Sequence, residues 1–323
     1  MKQVVCLFLL VSIISNCLLI SVEADDEDRN AFSDKINECL FNDWKQGGTP
    51  ILASKVDCSG GKRSGLCYGI NNTALFAVCY NSQTLIPEFS GHVVIGDPSA
   101  SGRGDWVNDK GKFAPKPQAD TKQDYEKFQQ KDIVPNFDYK TNFYSRGHLT
   151  PNNIFDTDDK REITMIITNA APQWQVFNSQ NWAVVEKAVR TYSASNKQRP
   201  VYVVTGTCGT LLDKNGHTLL LNKRVVAPGY YWKAVCDPVA NQSEVLVAAN
   251  PTGDSGTGKE YGCDINQKPQ KPQTRDRGIV NCYSLDELKK RPEAKYFNLP
   301  NFAAICNPQT RGTFLDPYLK KLS

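Results

Sequence analysis

Histidine is scarce in this chain: among 323 residues there are three, His92, His148 and His217, so imidazole chemistry has few possible addresses. No two cysteines stand in a Cys-x-x-Cys spacing, which removes the usual ligand pattern of a structural zinc site. Beyond the first 24 residues no apolar run is long enough to span a bilayer. No internal repeat recurs and no low-complexity linker interrupts the chain, so one large domain is favoured over two small ones. Neither sign of charge dominates. A formal net charge of +4 permits a polyanionic partner without arguing for one.

Residues 1–24 read as an export signal. Lys2 supplies the positive start, Val4 to Ile20 an almost unbroken apolar stretch, and Val22-Glu23-Ala24 small residues at the cleavage positions. Ser12, Ser15, Asn16 and Ser21 dilute the stretch, which argues against an uncleaved anchor. The expectation is a soluble, secreted, extracellular protein with no membrane association once the signal is cleaved. Nine cysteines follow the signal (39, 58, 67, 79, 208, 236, 263, 282 and 306), read first as a disulfide framework in an exported chain. Nine is odd, so one thiol is free, buried or paired with another chain, and a homodimer stays open. The sequons Asn71-Asn72-Thr73 and Asn241-Gln242-Ser243 place Asn71 and Asn241 on the surface if they carry glycans.

Short runs rich in Val, Ile, Tyr and Thr read as strands at Ala74–Tyr80, His92–Ile95, Ile163–Thr168, Pro200–Thr205, Tyr230–Cys236 and Glu244–Ala249. A helix is predicted over about Ser179–Ser193, where Trp182, Val185 and Val189 form one apolar stripe. A second is predicted near Ser284–Arg291, with Ser284 as N-cap and Glu287 completing a capping box. Together these imply an α+β fold on a mostly antiparallel sheet. Residues 25–60 read as an N-terminal extension before a single domain over 61–323, and 252–280 as a loop held by disulfides. The lysine-rich stretch 110–140 reads as a mobile loop first and a phosphate-tracking surface second.

The chemistry concentrates between 145 and 190. His148 sits in Ser145-Arg146-Gly147-His148, and Thr150-Pro151 stops the strand just after it, leaving an imidazole at an exposed strand end. Histidine has a reference pKa of about 6.5, so it is largely neutral at pH 7–8 and can accept a proton from water. His92 and His217 lie in strand or turn contexts without polar companions and read as structural. Asn178 stands just before the predicted helix, as an N-cap, a metal ligand or both. Mg²⁺ takes oxygen ligands and keeps several waters, so one protein oxygen is a reasonable site. No cluster of carboxylates lies nearby, which disfavours a two-metal mechanism. Glu186 and Arg190, at i and i+4, form in the plainest reading a helix-surface pair contributing about 0.2–0.5 kcal/mol.

In combination, Ser145-Arg146-Gly147-His148, Asn169-Ala170-Ala171-Pro172-Gln173, and Asn178 through Trp182 to Glu186 and Arg190 resemble the signature of the DNA/RNA non-specific endonucleases. That family has a ββα-metal (His-Me finger) active site and includes mitochondrial endonuclease G. The resemblance extends over roughly residues 75 to 250, through Val203-Val204-Thr205-Gly206 and Ala227-Pro228-Gly229-Tyr230-Tyr231-Trp232-Lys233. It implies His148 as general base and Asn178 as direct Mg²⁺ ligand, with Mn²⁺ as a substitute. It further implies Glu186 orienting a metal-bound water, and Arg146 and Arg190 stabilising a phosphorane-like transition state, with 5′-phosphate and 3′-hydroxyl products. Asn169 and Gln173 are implied to shape the loop beneath the site and are grouped with Arg103 as nucleic-acid-binding residues. Many members carry aspartate where this chain has Ser145, a change that removes a carboxylate beside the metal. Two rival readings stand beside a DNA- or RNA-cutting enzyme: an extracellular nucleic-acid-binding protein of the same fold with feeble catalysis, and a disulfide-stabilised structural glycoprotein.

Overall fold

The computed structural model describes residues 29–98, 102, 104–213, 215–252 and 273–322. The predicted leader, Arg103 and Cys263 lie outside these residues. Seven antiparallel strands make the central sheet: β1 (Arg63–Ile70), β2 (Thr73–Asn81), β3 (Ile86–Val94), β6 (Val201–Cys208), β7 (Tyr230–Asp237), β8 (Gln242–Ala249) and β9 (Val280–Tyr283). Their spatial order is β9-β8-β7-β6-β3-β2-β1. A separate two-stranded pair, β4 (Tyr144–His148) and β5 (Ala170–Trp174), leads into the long helix. The α+β expectation with a mostly antiparallel sheet holds.

The hairpin between β1 and β2 turns on Asn71 and Asn72, with φ of 50° and 59°. A two-residue turn of this hand needs positive φ at both positions, which asparagine tolerates better than most residues. Both sequon asparagines, Asn71 and Asn241, are exposed.

Period-2 alternation sends Phe76, Val78, Tyr80, Val203, Tyr231 and Val235 to one face of the sheet, and Ala77, Cys79, Phe89, Val204, Trp232 and Ala234 to the other. The first face is covered by the helical run from Gln175 to Ser195, which contains the α-helix α2 (Ala183–Ser195). Its stripe of Trp182, Val185 and Val189 is buried as its spacing predicts, with Trp182 and Phe177 packed edge-on against Tyr231. The second face is covered by residues 36–58 and by residues 285–306, whereas Phe314, Leu315, Leu319 and Leu322 pack on the first. Phe41 and Trp44 meet edge-on at 4.8 Å, and Trp44 reaches Tyr202 at 5.3 Å. Disulfides Cys39–Cys67 and Cys58–Cys79 tie the first of these segments to β1 and β2, and Cys236–Cys306 ties the second to β7. Cys282 is disulfide-bonded too. Cys208 is the free thiol among the described residues, and burial pushes its pKa up to about 12.

Three local expectations are corrected. Ile163–Thr168 is not a strand: α1 (Asp158–Ile163) ends there and a 3₁₀ turn, Ile167–Asn169, follows. The Thr157 hydroxyl accepts from the Lys160 amide and starts α1, and the apolar run is buried on all sides rather than on one, so its composition could not separate strand from turn. Asn178 does not cap the helix. The helical run begins at Gln175, and Asn178 opens a π-turn, Asn178–Trp182, with αR backbone angles. The stretch 110–140 is no free loop, since Ala119, Tyr125 and Val134 are buried in the first-face core. Near the C-terminus α3 (Leu285–Lys289) is capped as predicted, Ser284 Oγ accepting from the Glu287 amide at 3.1 Å. Among the described residues no helix is long and apolar enough to cross a membrane.

Candidate active site

Strand β4 presents Arg146 and His148 from alternate positions, and β5 runs antiparallel beside it with His148 opposite Ala170 and Ser145 opposite Gln173. The chain then turns directly into the helix, bringing Asn178 back over Ser145. Asn178 Nδ2 donates to Ser145 Oγ at 3.0 Å, and Ser145 Oγ donates to the Gln173 carbonyl at 3.1 Å. This relay fixes the amide by its nitrogen and leaves Oδ1 as its acceptor. Arg146, His148 and Asn178 together line one cleft of about 560 Å³.

The His148 ring is set by two neighbours the sequence did not single out. Trp106 lies against it at 4.5 Å between centroids, and its Nε2 is 3.2 Å from Met165 Sδ. Pairing of Val107 with Ile166 brings these two neighbours together. Arg146 donates to the Thr121 carbonyl, with its guanidinium 5.5 Å from the Tyr125 ring.

Glu186 and Arg190 do not line this cleft. They follow Asn178 along the helix, on α2. Arg190 is turned to Asp97 (Nε to Oδ1, 2.9 Å) and to Asn153 (Nη1 to Oδ1, 2.9 Å). Burial raises the Glu186 pKa, and the positive charges of Lys233 and Arg190 oppose the rise. Lys233, on β7, is fully buried: its ammonium donates to Thr205 Oγ1 and lies 5.6 Å from the Trp182 ring centroid. Burial lowers its pKa to about 8 against the pull of Glu186.

Asn169 and Gln173 are both fully buried, which does not fit direct contact with nucleic acid. Asn169 instead clamps the turn after His148, accepting from the Thr150 amide at 2.9 Å and donating to the carbonyls of Thr150 (2.9 Å) and Thr164 (3.0 Å). Gln173 packs under Gly147, where an added Cβ would lie 2.3 Å from Gln173 Oε1, and neither side-chain amide atom has a hydrogen-bond partner. His92 does have a polar companion, against expectation: it is buried with Nδ1 3.1 Å from Thr150 Oγ1, which also meets Ser90 Oγ at 2.5 Å. Burial and Lys233 hold its pKa well below the usual histidine value. His217 is exposed, with Nδ1 3.7 Å from Asp213 Oδ2.

No group of three or more His, Cys, Asp or Glu side chains gathers into a metal cage among the described residues. The donors present are an amide oxygen from Asn178 and, two turns on, a carboxylate from Glu186. Such a set suits a hard cation that keeps most of its waters, and does not suit zinc.

A family model described as DNA/RNA non-specific endonuclease matches residues 63–285, more than half of the chain. The salivary endonuclease of Lutzomyia longipalpis is 39% identical over 113 residues, which make up 34% of this chain and 27% of that protein. The match thus spans about a quarter of the relative's length. Among solved structures, the crystal structure of the EndoG/EndoGI complex is similar at 19% identity and a TM-score of 0.38, covering 69% of this chain and 82% of that one.

Proposed function

From the premise that the chain belongs to the DNA/RNA non-specific endonuclease family, we propose that it is a secreted endonuclease hydrolysing phosphodiester bonds of DNA, RNA or both, with little sequence preference. The observation that carries this reading is the convergence of Arg146, His148 and Asn178 on one cleft. Residues 61–323 are the catalytic unit, 25–60 an extension and 1–24 a leader removed on export. Three disulfides and the salivary relative support export.

Met165 Sδ is a weak acceptor facing His148 Nε2. In its neutral form His148 takes the proton of the attacking water. Arg146, held by the Thr121 carbonyl within the cleft, would offset the negative charge that develops on the phosphoryl oxygens, and Arg190, paired with Asp97 and Asn153 outside the cleft lining, would add to it at longer range. Asn178 Oδ1 would hold Mg²⁺ or Mn²⁺ directly, and Glu186 would accept hydrogen bonds from water around the ion. When bound, the cation supplies Lewis-acid stabilisation of the phosphate and leaving oxygen. Ser145 has a definite task in this arrangement: in place of a second carboxylate it orients the Asn178 amide. Contacts to phosphate and sugar rather than base edges account for low sequence preference.

The test is digestion of plasmid and RNA by the mature protein, with and without Mg²⁺, alongside His148→Ala. Metal-dependent degradation lost in the variant is expected. Binding without cutting by the wild type would replace the enzyme with a nucleic-acid-binding protein.

A further inference from the structure

Phe128 and Tyr139 are large, apolar and more than half exposed, at 58% and 52%, and both line the cleft that holds Arg146, His148 and Asn178. Both come from the stretch 125–145, which buries Tyr125, Phe143 and Tyr144 and half-buries Phe137. Nor is Tyr139 a loose side chain. It meets Phe137 edge-on at 5.0 Å, and its carbonyl accepts from Lys127 Nζ at 2.8 Å. Lys127 Nζ also sits 4.0 Å from the Phe143 ring centroid, and Lys131 Nζ lies 5.4 Å from that of Tyr139. Lys127, Phe128, Tyr139 and Phe143 thus line the cleft together, with Lys131 beside Tyr139. That combination is what a single strand requires, with charge to follow the phosphates and ring faces on which bases stack.

We propose that Phe128 and Tyr139 form a base-stacking subsite that takes an unstacked nucleobase beside the phosphate at His148, making single-stranded or locally opened polynucleotide the favoured substrate. Size supports this occupant: a cleft of about 560 Å³ accommodates a nucleotide-sized group, whereas the bases of an intact duplex are stacked out of reach. Every base offers a ring face, so the subsite adds affinity without adding sequence preference. The inference rests on the endonuclease reading and sharpens its substrate class.

The experiment uses the whole mature chain with two probes of equal length, oligothymidylate and a duplex. Binding of a 2-aminopurine oligomer is followed in the non-cutting His148→Ala background. The wild type is expected to cleave the single strand with the higher kcat/KM, and binding is expected to quench 2-aminopurine. Tyr139→Ala and Phe128→Ala should each lower the single-strand to duplex ratio of kcat/KM by about tenfold, mainly through KM. Tyr139→Trp should keep the ratio and the quenching. Both positions are exposed, so the fold should tolerate these changes, and circular dichroism checks that it does. An unchanged ratio, or an equal loss on both probes as expected of rings that wedge into a duplex groove, overturns the subsite. If the wild type neither cuts nor binds any polynucleotide, the endonuclease reading itself fails, an outcome distinct from cleavage that ignores the two rings.

Discussion

The two faces of the central sheet are built from the same strands and differ in chemistry. Ser90, His92, Thr205 and Lys233, all buried, alternate along β3, β6 and β7 onto the face covered by α2. Facing the opposite way on those strands are Phe89, Gly91, Val93, Tyr202, Val204, Gly206, Trp232, Ala234 and Cys236, none charged, and Cys39–Cys67, Cys58–Cys79 and Cys236–Cys306 lie on this side, whereas the disulfide-bonded Cys282 packs on the first. One face carries desolvated polar groups that its packing alone does not require. The other is hydrophobic and cross-linked. Polar burial is unfavourable unless compensated, so a fold that concentrates it on one side must gain stability elsewhere. Activity and stability should therefore separate by face.

The strongest way to break that division is His148→Ala. On the first face it should lower kcat by on the order of 10²–10⁴-fold while leaving the melting temperature within a few degrees. Plasmid digestion and differential scanning calorimetry read the two quantities. A large loss of stability would mean that the imidazole is a packing element under Trp106 and Met165 rather than a base. On the second face, replacing Cys236 and Cys306 together with serine opens a cross-link across 70 residues. It should lower unfolding stability by about 2–5 kcal/mol. Activity measured well below the new midpoint should stay near the wild-type value, and a fall of more than tenfold there would show that the faces are not independent.

Gly147→Ala sharpens the comparison within the site. The new Cβ would lie 2.3 Å from Gln173 Oε1 and 2.6 Å from Gln173 Cβ, and rotating the buried Gln173 side chain would relieve only the first of these. β4 must shift, taking Arg146 and His148 with it, and a misplacement of about 1 Å can lower turnover by about 10²-fold. Combining the change with Gln173→Gly removes the clash, including the 2.6 Å approach of Gln173 Cβ that an alanine would keep, and should restore much of the rate. If the double variant is no better than Gly147→Ala, the glycine serves another purpose than closeness to Gln173.

What the sequence made legible follows from range. The stripe of Trp182, Val185 and Val189 lies within eight residues and is buried as its period implies. The alternation in Ala74–Tyr80 and Tyr230–Cys236 likewise needs only local reading. The motif 145–190 named the three residues that share the cleft because strand, strand and helix follow one another along the chain. Contacts that orient them are distant or chemically unremarkable: Asn178 meets Ser145 across 33 positions and Arg190 meets Asp97 across 93. Met165 beside His148 carries no polar signature at all. Phe128 and Tyr139 carried no signal of their own, since composition cannot tell an aromatic ring that is buried from one left at the mouth of a cleft.

The smallest predicted effect concerns a polar group on the first face away from the site. Glu244 on β8 is fully buried, and its partner Arg311, 3.4 Å away, also holds Asp316 with two shorter bonds of 2.8 and 2.7 Å. Desolvation therefore prevails and raises the carboxyl pKa from 4.5 to about 8. With the folded value above the unfolded one, the folded chain keeps a proton that the unfolded chain has shed between those pH values, so stability falls as pH rises from about 4.5 through about 8. Glu244→Gln keeps the shape and removes the titration. Its melting temperature should match the wild type near pH 4.5 and exceed it by a few degrees at pH 8, with turnover little changed. A wild-type advantage that grows with pH would show instead that the ionised Glu244–Arg311 pair stabilises the fold.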